Sequence, residues 1–212
     1  MPSARQPPKD IMPPAPTPDL SQSLLDHAYA IIQSDGLDRL SIREVARRCG
    51  VSHQAPYRHY PSRDHILAAL VARLYAEFAA ALAAVPALNN PYAELIDMGW
   101  RYLDYAEANP LKYRLMFNTA LPPAADHPAM MERAADAFGL LQARLAAMPL
   151  RPSMVSAAPD PKGDAIFIWS TLHGLASIQQ SDATQALHLS QAERVAMVDR
   201  VFARMADAIF PA

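Results

Sequence analysis

From Asp19 onward the chain places apolar residues three and four positions apart. Leu24, Ala28 and Ile31, flanked by Leu25, Tyr29 and Ile32, form one stripe, which predicts a helix ending at a C-cap on Gly36. Ser41-Ile42-Arg43-Glu44 reads as a capping box. It opens a helix of about two turns, with Ile42, Val45, Ala46 and Cys49 as its buried face and Gly50 as its end. Gly50-Val51 supplies a tight turn and Ser52 an N-cap for the next helix. Two short helices joined by a glycine-containing turn make a helix-turn-helix. Pro56 would then be the fourth residue of the second helix, where its missing N–H forfeits only the bond to the Ser52 carbonyl while its ring crowds that oxygen. The pattern therefore predicts a loosened first turn and regular helix from about Ala55 to Tyr60.

Pro61-Ser62 interrupts the pattern, and Ser62 caps a longer helix from Arg63 to about Ala84. Ile66, Leu67, Leu70, Leu74, Phe78 and Leu82 hold its inner face. Pro86 and Asn89-Asn90-Pro91 break it, and helical patterns follow at about 92 to 108, 110 to 118, 127 to 148, 164 to 181 and 190 to 209. No period-two run of β-branched residues and no internal repeat appears. The predicted fold is all-α: a Pro-rich tail over 1–19, a three-helix helix-turn-helix domain over 20–66 and a helical domain over 67–212.

Composition changes this picture in two places. Residues 1–19 hold seven prolines, too many for a core, and read as a mobile extended tail whose Arg5 and Lys9 lie within reach of DNA. The net charge of −2 conceals a strong asymmetry. Between Arg39 and Arg63 stand six arginines (Arg39, Arg43, Arg47, Arg48, Arg58, Arg63) against the single acid Glu44, which marks a face for a polyanion on an otherwise acidic chain. The lone Cys49 makes no internal disulfide and suits a reducing compartment. No apolar run is read as a membrane span of about 20 residues, and no signal peptide is seen. The expectation is a cytoplasmic, soluble protein with no membrane partner.

The segment LSIREVARRCGVSHQAPYRHYPSRDHILAAL, with its capped helix, G-V-S turn and tyrosine-X-histidine-aromatic block, resembles the DNA-binding signature of the TetR family of transcriptional regulators. WRYLDYAEANPLKYRLMF at 100–117 and WSTLHGL at 169–175 are similar, more loosely, to one branch of that family. The resemblance implies an N-terminal DNA-binding domain, a ligand-binding and dimerising helical domain, and a homodimer. The sequence departs from the pattern at Arg63, where many relatives carry lysine, and at Pro56, where a small or aliphatic residue is usual.

In a helix-turn-helix the second helix presents its N-terminal residues to base edges in the major groove. His53, Gln54 and Ala55 are therefore the candidate base readers, glutamine suiting adenine and the alanine methyl suiting thymine. Tyr57 and His59 match family positions that touch DNA, and Arg43 matches one that reads guanine or clamps phosphate. Tyr60 is assigned to the small core. Arg47, Arg48, Arg58 and Arg63 would add sequence-independent attraction. The helix-opening serines Ser41 and Ser52 complete the DNA-contacting set. A metal cluster of Cys49, His53, His59 and His65 is set aside because the motif accounts for the histidines, so no metal or cofactor is expected.

In the second half, Val195, Val198, Phe202, Met205 and Ile209 are spaced as an a/d seam over two heptads. Ser170, Gly174 and Ser177 form a small-residue facet. Together these predict a symmetric dimer interface from the last two helices. Met98, Tyr102, Tyr105, Met116, Phe117, Phe138, Trp169 and His173 are the candidate ligand-binding residues, with His173 in need of a polar partner. The function that follows is a ligand-responsive repressor on a palindromic double-stranded DNA operator, released by a small apolar or aromatic effector. Two alternatives stand beside it: the same fold without small-molecule sensing, and an enzyme in the helical half. Against the enzyme, the sequence has no carboxylate pair, no Ser/His/Asp arrangement and no glycine-rich phosphate loop.

Overall fold

The structure is a computed structural model that describes residues 19–86, 88–152, 158–181 and 188–211. The prolines of the N-terminal tail, Arg5 and Lys9 lie outside the described residues. Among those described there are eight α-helices and no strand. They fall into two compact units, one ending at Arg63 and the other beginning at Asp64.

The first unit starts with α1 (Leu20–Asp35), capped by the Asp19 carboxylate on the Ser21 amide and ended by Gly36 at φ 88°. A left-handed φ of this kind favours glycine. A 3-10 turn, Leu37–Arg39, leads to α2 (Ile42–Cys49), which ends on Gly50 in the αL conformation. Leu24, Ala28 and Ile31 of α1 are fully buried together with Val45 and Ala46 of α2, as their spacing predicts. The capping box is only half made. Ser41 Oγ accepts from the Glu44 amide at 3.2 Å, but the Glu44 carboxylate turns to Arg47 and Arg48, two guanidinium partners that outcompete one backbone amide.

The third helix of this unit is not the regular helix expected from Ala55 to Tyr60. It is a single 3-10 turn, Pro56–Arg58, preceded by a hydrogen-bonded turn at 53–55. The proline is the cause: it has no N–H for the Ser52 carbonyl, which accepts instead from the Ala55 amide at 3.0 Å. The following bonds keep the tighter spacing, with Ala55 O taking the Arg58 amide and Pro56 O the His59 amide. The N-cap of the 3-10 turn is Ala55 and not the expected Ser52, whose carbonyl accepts from the Ala55 amide.

Arg63 was expected on DNA phosphate, yet its guanidinium is used inside the unit. Nε donates to the Leu40 carbonyl and Nη2 to the Leu37 carbonyl, both at 3.1 Å. It ties the turn between α1 and α2 to the start of the next helix. Arg63→Ala should lower the stability of this unit by about 1.5 to 3 kcal/mol, the range for hydrogen bonds from a charged donor. Lysine should restore only part, because one ammonium does not reproduce the guanidinium fork. A thermal melt of the two variants checks this.

The second unit is built from α3 (Arg63–Ala83) beyond its first residue, α4 (Pro91–Ala108), α5 (Pro110–Phe117), α6 (Pro128–Ala146), α7 (Pro161–Gln179) and α8 (Gln191–Ile209). Four of these open on proline in the first turn, where its fixed φ is helical and its missing N–H costs nothing. Asn90, Asp160 and Ser190 cap three of the helix starts, and Ser190 with Glu193 completes a full capping box that the sequence reading passed over. With a mean hydropathy of 1.8, α3 is long and apolar enough to cross a membrane by length and composition, contrary to the expectation that no such run exists. Half of that stretch is buried inside the fold, including Leu70, Val71, Leu74 and Phe78, as in the core helix of a bundle.

Salt bridges tie the helices of this unit together: Lys112 of α5 to Glu77 of α3 at 2.6 Å, and Arg144 of α6 to Glu94 of α4 at 2.8 Å. Where α4 meets α8, a Cβ on Gly99 would lie 2.9 Å from Phe202 Cζ, so glycine permits the close approach of that ring.

Val198, Phe202, Met205 and Ile209 were expected on a dimer seam, but all four are buried within this unit. Their heptad spacing marks the inward stripe of α8, and three and four residue spacing alone does not distinguish an intramolecular core from a seam between chains. Val195, the fifth member, is exposed.

Candidate nucleic-acid interface and ligand cavity

On the first unit, burial sorts the motif into two sets. Pro56 and Tyr60 point inward, and the Tyr60 hydroxyl donates to the Ser21 carbonyl at 3.2 Å, which pins the turn onto α1. Ser52, His53, Gln54, Tyr57, Arg58 and His59 are exposed, as are Ser41, Arg43 and Arg47 of α2. Ala55 is half-buried. Tyr57, 44% exposed, keeps a large ring in water without packing, which suits a contact surface. The 3-10 turn changes the directions in which Gln54, Tyr57 and Arg58 project compared with a regular helix, since side chains three apart in a 3-10 turn eclipse.

The six arginines are not equivalent. Arg47 and Arg48 both bind the Glu44 carboxylate, at 2.6 and 2.9 Å, and these guanidinium bonds hold its pKa down at about 2. Arg48 also binds Asp35 and donates to Ser34 Oγ. Among the described residues Arg39, Arg43 and Arg58 make no ion pair. The cationic charge offered outward is therefore carried chiefly by these three, a distinction that counting charges along the sequence does not reveal. Cys49 is half-buried with Sγ 3.4 Å from Ser23 Oγ, and no described group of three or more His, Cys, Asp or Glu side chains is placed to hold a metal ion.

On the second unit, α3 to α8 line a cavity of about 140 Å³ that opens to solvent beside the exposed Tyr92 and Ile96. Of the eight candidate ligand residues, Met98, Tyr102, Phe117, Phe138 and Trp169 line it. Tyr105, Met116 and His173 do not: Tyr105 packs its ring on Phe78, Met116 is buried with its carbonyl bound to the Tyr75 hydroxyl, and His173 sits behind Phe117. The sequence reading missed Tyr75, Phe78, Ala137 and Leu141, which face the space from α3 and α6. It also missed Phe202, Met205 and Ile209 as walls of the cavity from α8. Among the described residues no charged side chain lines the cavity, and its aromatic rings meet edge to face, as Phe78 with Tyr102 at 5.2 Å and Phe78 with Phe117 at 5.9 Å.

Behind one wall lies the polar partner that His173 needs. Tyr113 Oη is 2.7 Å from His173 Nδ1 and 2.8 Å from Tyr102 Oη, and Tyr102 Oη is 3.4 Å from the same nitrogen, so two buried tyrosines and the half-buried His173 form one polar cluster. Burial pushes the Tyr113 hydroxyl up to about 12, pushes Tyr102 up further, and draws His173 below its ordinary value, so all three are neutral at neutral pH. The folded state therefore binds fewer protons than the unfolded one below the ordinary histidine pKa near 6.5. Its contribution to stability is fully present above that pH and is lost as pH falls toward the depressed folded value. Melting temperature measured from pH 8 to 5 should fall on the acid side. His173→Gln, which cannot take up a proton, should flatten the drop in that window.

Residues 24–70 match the family described as Bacterial regulatory proteins, tetR family, and residues 95–209 match Tetracyclin repressor-like, C-terminal domain, which covers more than half of the chain. The nucleoid occlusion factor SlmA of Pasteurella multocida is 30% identical over 108 residues, 50% of this chain and 53% of that protein, so the chain spans about half the length of this curated relative. A protein of unknown function from Rhodococcus sp. RHA1 shares the fold with a TM-score of 0.74 at 24% identity, over 94% of this chain and 100% of that one. A tetR family transcription regulator from Shewanella sp. PV-4 shares it with a TM-score of 0.65 at 19% identity, over 86% and 95%. With the DNA-binding segment and the helical C-terminal body both matched, in that order, the chain belongs to the TetR family of transcriptional regulators.

Proposed function

We propose that this protein is a homodimeric repressor in the cytoplasm that holds a palindromic operator and leaves it when a small, uncharged apolar molecule enters the C-terminal cavity. As a member of a family of transcription regulators it is a DNA-binding protein and not an enzyme. The observation that carries effector sensing is the cavity itself. The pocket is lined almost wholly by apolar and aromatic side chains, the character of a small-molecule site. A concave apolar pocket bounded by α3 to α8 supports a ligand site over a domain that only dimerises. Its volume is close to that of the engineered apolar cavity of about 150 Å³ that takes up benzene.

For the dimer, the supporting surface is on α7. Phe167 and Ile178 are 45% and 58% exposed, and Ser170, exposed, lies between them with Gly174, where an added Cβ would meet nothing within 4 Å. Ser177, half-buried, and the exposed Val195 of α8 belong to the same proposal. Such a facet lets a second helix approach closely and buries apolar area on pairing. Two copies are needed to read two half-sites about 34 Å apart.

The test is a screen of small neutral aromatic compounds by thermal shift, followed by operator titration with those that bind. Compounds that raise the melting temperature should weaken operator binding in proportion, because a ligand moves the equilibrium only by its differential affinity for the two states. Stabilising compounds that leave operator affinity unchanged would exclude the cavity from control of DNA binding.

A further inference from the structure

The cavity does not use the whole length of the helices that line it. A second, smaller space of about 90 Å³ is lined by α4, α7 and α8 as well. On α7 the change from one to the other falls between Leu172, which lines the cavity, and Ala176, which lines the second space. On α8 the order is reversed, and the change falls between Val198 on the second space and Phe202 on the cavity. The two spaces therefore follow one another along the same three helices. Their chemistry differs: the cavity is apolar, whereas Asp104, Glu107 and Arg194 stand with three glutamines around the second space.

One ring lies where the two meet. Phe202 is buried on α8, and a Cβ on Gly99 of α4 would stand 2.9 Å from its Cζ, so the ring crosses to α4 and ends against backbone that carries no side chain. It also meets Trp100, with the ring centroids 5.5 Å apart. Phe202 and Gly99 line the cavity, while Trp100 lines the second space. The mouth beside Tyr92 and Ile96 belongs to the start of α4, and Gly99 lies about two turns further along that helix. Phe202 thus stands at the end away from the mouth.

We propose, resting on the effector reading above, that Phe202 closes the inner end of the effector cavity and sets the length of the molecule it accepts. The effector is then a short apolar molecule that stops at this ring, and the polar second space is held out of its reach. An alkyl chain that grows inward meets a packed ring, and one that grows outward enters water. Neither buries more apolar surface. With the ring removed, the chain passes beside Gly99 and buries further methylenes against Trp100, Leu103 and Val198, each worth about fourfold in affinity.

The experiment is calorimetric titration of the full-length protein with benzene, toluene, n-propylbenzene and n-butylbenzene. For the unmodified protein, affinity should rise over the first members and then level off. In Phe202→Ala the ratio of n-butylbenzene to toluene affinity should increase about tenfold, the yield of roughly two newly buried methylenes, and in the milder Phe202→Leu by less. Ala176→Leu narrows the second space, so it should leave the series unchanged in the otherwise unmodified protein and cancel the gain in Phe202→Ala. A ratio unchanged in both Phe202 variants would overturn the proposal. So would a gain that Ala176→Leu does not cancel, which would mean that the cavity had only been widened. Binding of none of the four compounds to the unmodified protein up to their solubility limits would instead overturn the effector reading itself.

Discussion

Replacing Ala137 by leucine is expected to raise the melting temperature of the protein and abolish its response to effector. Ala137 is buried on α6 and faces the cavity, so its longer replacement extends into that cavity. The added side chain buries further apolar surface against the pocket wall, worth roughly 1 to 2 kcal/mol. For a domain of this size each kcal/mol shifts the melting temperature by about 2 to 4 °C. Operator affinity without effector should be unchanged, because the substitution lies in the second unit and the DNA-facing array belongs to the first. A variant that melts lower and still releases DNA on effector addition would mean that the space is not where the effector acts.

The second large effect belongs to the first unit. Changing Arg43 and Arg58 together to alanine should lower operator affinity by about 100-fold, with loss of about one phosphate equivalent in the salt slope for each arginine that contacts backbone. The two side chains are exposed and unpaired, so they are free to bind a polyanion at no cost in broken salt bridges. Arg48→Ala makes the informative comparison. It loses the pairs with Glu44, Asp35 and Ser34, so its effect should fall on stability more than on DNA. Fluorescence anisotropy at three salt concentrations, with melts of the same samples, separates the two kinds of arginine.

These expectations show where sequence reasoning held and where it ran out. Helix positions were legible because they rest on local chemistry: Asp19, Gly36, Ser41, Gly50 and Asn90 terminate or cap helices through bonds spanning a few residues. The inward set of the first unit, Leu24, Ala28, Ile31, Val45 and Ala46, followed from spacing alone. Pro56 was recognised as a disturbance, but its extent was not, because whether a helix recovers after a lost bond depends on what holds the chain afterwards. Here the buried Pro56 ring and the Tyr60 bond to Ser21 hold the tighter turn.

The role of Arg63 was illegible for a related reason. A guanidinium near a motif looks the same whether it meets phosphate or a carbonyl, and its partners, Leu37 and Leu40, lie far away in sequence. On α8 the pattern marked the buried face correctly as apolar, but periodicity carries no information on whether the neighbour is the same chain or another. Phe202, Met205 and Ile209 thus moved from a presumed seam to the cavity wall. The chain from Tyr102 through Tyr113 to His173 joins α4, α5 and α7, and only a fold brings such residues together.

The measurement that tests the central claim most directly is recovery of sheared DNA from the source organism on the purified protein, followed by titration of the most enriched fragment against salt. Sequence-directed binding by the exposed array predicts a shared palindrome, bound tightly, with a steep salt slope that flattens when Arg43 and Arg58 are replaced. Recovery of fragments with no common sequence, at an affinity no greater than for competitor DNA, would contradict it.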